Sequence, residues 1–203
     1  MYKFPYYTEQ DQQKVIDFMK ENAFALITGI GENYPVATQI PLTVELKEGK
    51  MFLQGHLMRK TDHHLAFEKN NNVLVLFTGP HCFVSASWYT DPAVGSTWNY
   101  MTVHVKGKIS FTDEAGTLDA VKAVSDKYEG TSGTGAFDNL PKEYIHHMVK
   151  AIVGFSIEVE SIDNTFKLSQ NRDEASQKNI IEQLRKRGDA NSAAIAHEME
   201  KRL

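Results

Sequence analysis

The sequence predicts an α+β fold, mainly β, in which an antiparallel sheet is flanked by helices. Three observations lead there. Apolar strand-like segments between Phe24 and Gln54 are joined by only a few residues, enough for antiparallel pairs and too short for parallel crossovers. Residues 82–87 and 97–109 alternate between two faces, as strands do. The segments after Thr112 and Asp173 space their apolar residues at helical intervals instead. Residues 1–203 read as one domain with a helical extension over about 173–203, because no repeat or low-complexity run marks a second.

In chain order, Thr8 and Asp11 mark a helix start, with Val15, Ile16, Phe18 and Met19 as its apolar face and an end near Asn22. Phe24–Ile30 and Val36–Leu46 read as strands across a GENYP turn, and Met51–Gln54 follows a turn at Lys47–Lys50. Gly29–Gly31 lacks the third glycine and the following helix of a dinucleotide fingerprint, so it reads as a hairpin turn. Past Gly55, residues His56, Arg59, Lys60 and Thr61 gather cations and donors before a helix over Asp62–Asn70. Such a helix start suits a phosphate group, and it equally suits a solvated basic turn. Val73–Thr78 is a strand, and Thr112 opens a helix carrying Val121, Val124 and Tyr128. GTSGTG at 130–135 reads as a linker, and Pro141 opens a short helix in its first turn. A strand over Ala151–Ile162 leads to the FKLSQNR segment, Phe166–Arg172. Two helices close the chain, the first starting near Asp173 and ending at Gly188, the second capped by Asp189 and running over Ala190–Leu203.

Gly79–Gly107 is the stretch with the densest chemistry, holding both tryptophans, Trp88 and Trp98, around a loop broken by Pro92 and Gly95. Large aromatics beside Ser, Asn and His make either an ordinary core or an amphipathic wall for a flat ligand or a subunit. Pattern alone favours the core.

Composition narrows the function. A net charge of -4, from 26 acidic and 22 basic residues, leaves no global footprint for nucleic acid. A single cysteine, Cys82, excludes an internal disulfide and, with no apolar leader or membrane span, leads us to expect a cytoplasmic protein. His63-His64 and His146-His147 sit on helices, where neighbours point about 100° apart, so no metal site is expected. His81 and Cys82 face opposite sides of a strand and do not form a nucleophile–base pair.

GPHCFVSASWY at 79–89, TWNYMTVHVKG at 97–107 and FKLSQNR at 166–172 resemble the PaiB-like family, FMN-binding split-barrel proteins described as negative transcriptional regulators. Ala86 and Ser96 stand where that family has proline, and Thr61-Asp62 where it has Asn-Pro. The resemblance implies an antiparallel split β-barrel with flanking helices and FMN held in a homodimer, each site using both chains. Thr38, Gln39, Ile40 and Pro41 are then expected to offer backbone groups to the isoalloxazine ring, and Arg59 to hold the phosphate. His56 contacts the phosphate or orders its loop; Lys60 matches no residue of the family and is included for its positive charge alone. Trp98, Asn99, Gln170 and Arg172 complete the pocket. No catalytic residue is named.

Two classes of function remain open: a flavin-binding regulator, or an FMN-dependent oxidoreductase of unknown substrate. A haem-binding split barrel is a third. No helix-turn-helix signature is present, and Arg185-Lys186-Arg187 is a short basic run at a helix end, so direct DNA binding is doubtful.

Overall fold

The computed structural model describes residues 4–203; Met1–Lys3, the beginning of the segment read above for a leader, lie outside them. The elements are α1 Gln12–Glu21, β1 Phe24–Gly29, β2 Val36–Pro41, β3 Thr43–Lys47, β4 Lys50–Met58, α2 Asp62–Lys69, β5 Asn72–Val84 and β6 Thr97–Phe111. They continue with α3 Glu114–Tyr128, α4 Lys142–Ala151, β7 Ile152–Lys167, α5 Glu174–Arg187 and α6 Ala190–Glu200. The strands order as β2-β1-β5-β6-β7-β4-β3. β1 runs antiparallel to β2 and β4 to β3, as the short connections require, and β1 also runs antiparallel to β5 and β4 to β7.

Two compact units divide the chain. One holds residues 19–77 and 104–162. Its core is built from Ala25, Ile27, Leu53, Phe67, Val75, Phe77, Phe155 and Ile157, all buried. Here the expected strand Val36–Leu46 is two strands, β2 and β3, separated by Leu42. Leu42 is 2% exposed, and its N–H donates to the Ala23 carbonyl at 2.9 Å. The chain changes partner at this point, from β1 to β4, so one alternating pattern covers two ladders. β4 outlasts the expected Met51–Gln54 because β7 pairs with it as far as Met58. The helix expected from Thr112 is capped one residue later: Asp113 accepts from the Gly116 N–H at 2.9 Å, while the Thr112 N–H donates to Gly154. Pro141 stands at the N-cap of α4 rather than inside its first turn.

The second unit holds residues 4–18, 78–103 and 163–203. Val84, Val103, Phe166, Leu168, Ile180, Leu184 and Ile195 fill its core. Its helices α5 and α6 start with the same device. Asp173 accepts from the Ser176 N–H at 2.9 Å and the Ser176 hydroxyl at 2.7 Å; Asp189 accepts from Ser192 likewise, at 2.9 and 2.6 Å. Asp173 also accepts from the Thr90 hydroxyl at 2.9 Å.

Hydrogen bonds from the Ser176 backbone and hydroxyl, then from Thr90, pull the Asp173 carboxyl down to about 2. A carboxyl depressed on folding contributes stability that is present above its ordinary value of 3.8 and lost as pH falls through the folded one. Urea midpoints measured between about pH 4 and about pH 2 should therefore fall more steeply for the native chain than for Asp173→Asn, whose cap does not titrate. Equal slopes would remove Asp173 from the acid sensitivity.

Candidate functional site

Within the unit of residues 19–77 and 104–162, three elements frame the first group of expected site residues. β2 ends the sheet order, so among the described residues its only sheet neighbour is β1, and the backbone groups turned away from β1 are not spent on a strand there. Thr38, Gln39, Ile40 and Pro41 pair with Ile27, Leu26, Ala25 and Phe24; Ile40 is buried, Gln39 is exposed, and the other two are half-buried. β2 packs against α2 and β4.

Gly55 shows how closely these elements meet. A side-chain carbon there would sit 3.0 Å from Leu42 and from the Phe155 ring tip, and 3.3 Å from the Pro41 carbonyl oxygen. A side chain there would make these neighbours give way by a few tenths of an ångström, so glycine suits the close approach of β4 to the end of β2.

His56 follows on β4 opposite Gly154. Its Nδ1 is buried without a hydrogen-bond partner, and burial lowers the pKa of the ring. A neutral imidazole with an unused nitrogen is suited to a polar ligand atom.

Beyond β4 the Arg59 N–H donates to the Ala151 carbonyl at 2.9 Å, while its guanidinium has no hydrogen-bond or ion-pair partner among the described residues. Lys60 is held at φ 62, and its N–H donates to His64 Nδ1 at 3.3 Å. Thr61, read as a ligand donor, is occupied instead: its hydroxyl donates to the Met58 carbonyl at 3.0 Å and caps α2 by accepting from the His64 N–H at 3.3 Å. Arg59 and Lys60 therefore carry the positive charge of the turn, and Thr61 gives it shape.

The second group lies in the other unit. Trp98 is 54% exposed, with Phe83 and His81 beside it at ring separations of 6.1 and 6.2 Å. The core reading of this stretch fails at Trp98, which stands on the outward face of β6. Arg172 lays its guanidinium 4.7 Å over the Tyr89 ring. Asn99 and Gln170 are turned inward. Asn99 is fully buried, accepting from the Ser169 hydroxyl at 3.1 Å and donating to Met199 Sδ at 3.6 Å. Gln170 donates to the Phe166 carbonyl and accepts from the Leu168 N–H, clamping its own loop.

Lys167, the lysine of FKLSQNR, joins Gln170 and Arg172 in this segment although it was not expected in the pocket. It donates to the Thr97 hydroxyl, and its pKa is lowered by burial and then by the charge of Arg172. Its place in FKLSQNR, two residues before a strained turn, was the available signal. Among the described residues, Glu48, Lys60 and Ser169 are the non-glycine positions with positive φ. Glu48 belongs to the β3–β4 hairpin, whereas Lys60 and Ser169 fall inside the two polar segments singled out by sequence. Strain of this kind collects at ligand clamps.

Residues 1–161 match the model of the family described as "Putative FMN-binding domain". The chain belongs to that family. A relative from Bacillus subtilis (strain 168), the protease synthase and sporulation protein PAI 2, is 34% identical over 204 residues, covering 100% of this chain and 98% of the relative. Gln170 and Arg172 lie beyond the family match and within that longer alignment.

Two solved structures share the fold. The FAD and haem binding protein from Mycobacterium smegmatis has a TM-score of 0.61 at 12% identity, covering 79% of this chain and 73% of that one. The flavocytochrome Anf3 from Azotobacter vinelandii has a TM-score of 0.59 at 14% identity, covering 82% and 72%. The chain is an FMN-binding split-barrel protein of the PaiB-like family, with the antiparallel sheet and flanking helices that the resemblance implied. The residues present fit the cofactor: an unused ring nitrogen at His56, a guanidinium without a partner among the described residues at Arg59 and a sheet-edge backbone at β2. Among the described residues no helix is long and apolar enough to cross a membrane, and no group of three or more His, Cys, Asp or Glu is placed to hold a metal.

Proposed function

We propose that the chain is a homodimeric flavin-dependent regulator whose FMN is held by the β2 backbone at Thr38–Pro41, by His56, Arg59 and Lys60, and by the Trp98, Asn99, Gln170 and Arg172 region. The observation that carries this reading is the end of β4 with the turn after it, where five consecutive residues carry the unused His56 nitrogen, the Arg59 guanidinium without a partner among the described residues, and left-handed Lys60. Bound FMN supplies one- and two-electron redox chemistry. The chain's own part is to neutralise the phosphate through Arg59 and Lys60, and to offer a neutral imidazole at His56, which burial keeps from protonating at neutral pH. The exposed ring of Trp98 supplies a flat apolar face. Asn99 and Gln170 act by bracing β6, which carries Trp98, and the loop that carries Arg172.

The homodimer completes each site with residues from both chains, and a symmetric pair is the commonest closed assembly. Sedimentation at micromolar concentration, with FMN titrated by absorbance, should give twice the 22.9 kDa chain mass and one flavin per chain. A monomer that saturates with FMN would overturn the shared site.

Regulation in this reading is indirect. The basic run at the end of α5 is used inside the chain. Arg185 pairs with Glu200 at 2.6 Å, Lys186 with Glu182 at 2.6 Å, and Arg187 donates to the Phe83 carbonyl at 2.9 Å and lies 4.9 Å over Trp88. DNA binding by the dimer at physiological salt should be weak and indifferent to sequence. Tight binding to a promoter duplex over a scrambled one would make the regulation direct, and reduction of the bound flavin by NAD(P)H with turnover would favour the oxidoreductase.

A further inference from the structure

The turn between β1 and β2 leaves an open cleft of about 630 Å³, within the range of small-molecule sites and sharing no residue with the proposed flavin site. Ile30, Tyr34, Pro35, Val73 and Leu74 give it apolar walls. Tyr34 is 82% exposed and Ile30 62%, so two large apolar side chains of the same turn stand open to water at the edge of the cleft. The turn closes this tightly because residue 31 is glycine: a side-chain carbon there would fall 2.2 Å from the Tyr34 carbonyl oxygen.

Charge at the rim then selects the ligand. Lysines and glutamates pair across the neighbouring strands, Lys50 with Glu158 at 2.5 Å and Lys108 with Glu160 at 3.4 Å. Glu160 is on the rim and so is already compensated. Lys106 also lines the cleft, next in the same row on β6, and has no acidic partner among the described residues. Glu32, exposed on the turn, adds one negative charge and disfavours a ligand with several.

We propose that this cleft is a second small-molecule site, taking a flat apolar body with a single carboxylate held by Lys106. An apolar cleft with one convergent cation binds such a molecule by burying its body and neutralising its charge. The proposal goes beyond the flavin reading, since it needs none of those residues.

Calorimetry on the protein saturated with FMN tests it, with naphthalene-2-carboxylate and its uncharged carboxamide as probes. The carboxylate should bind the native chain about tenfold more tightly, and Lys106→Met should remove that advantage while leaving the carboxamide unchanged. Tyr34→Ala should weaken both probes at unchanged melting temperature and unchanged FMN affinity. Equal binding of the two probes, or a Lys106→Met chain that still prefers the carboxylate, would overturn the proposal. So would release of FMN by the probe, which would put it in the flavin site. Loss of probe binding as the chain is concentrated would assign the cleft to a second copy of the chain.

Discussion

Phe155→Ala is expected to cost about 3–5 kcal/mol of folding stability, the range for removing a fully enclosed aromatic ring. Phe155 is 1% exposed on β7, opposite Gly55 on β4. Its ring tip lies 3.0 Å from where a side-chain carbon at Gly55 would sit. The void left by alanine would therefore lie directly under the strand that presents His56. Urea unfolding should show a lower midpoint at an unchanged slope, because the area exposed on unfolding hardly changes. A loss below about 1 kcal/mol would mean that neighbouring side chains collapse into the space. The same variant links packing to function. If it folds, its FMN affinity should fall as well, although Phe155 has no polar atom to offer.

Arg59→Ala is the second large effect, and it separates two parts of one ligand. Losing a charge-assisted contact to phosphate costs roughly 1.5–3 kcal/mol, or about ten- to a hundredfold in affinity. Riboflavin has the same ring and ribityl chain without the phosphate, so its affinity should hardly change. Quenching of flavin fluorescence, titrated with each ligand, measures both. Equal weakening of FMN and riboflavin would take the phosphate away from Arg59. Arg59→Lys adds a finer test, since a lysine retains the charge and gives up the planar fork of donors.

The difference between local and distant causes explains how much of this was legible. Asp189 reads as a cap because the whole device, Asp189 with Ser192, lies within four residues of chain. Arg59 and Lys60 read as a cationic turn for the same reason. The break at Leu42 does not, because its cause is the Ala23 carbonyl and a change of strand partner, neither visible in an alternating run. Asn99 is similar. Its residue type suits a ligand, and only Ser169 and Met199, far along the chain, show that the amide is already engaged. Exposure at Trp98 was hidden by the opposite ambiguity. An alternating strand states which residues share a face and not which face is covered, and the outward one here holds His81, Phe83 and Trp98.

Cys82 has an experimental consequence. It is the chain's single cysteine, buried on β5, and its thiol is raised to about 11, foremost by burial and also by Asp189, against the opposing charge of Arg187. At neutral pH almost none of it is thiolate, the form that reacts with maleimides and disulfide reagents. A cysteine introduced at an exposed position would be modified while Cys82 stays untouched. The native chain is thus already a background for attaching one spectroscopic label, and distances between two such labels in an oligomer can be measured without altering its core.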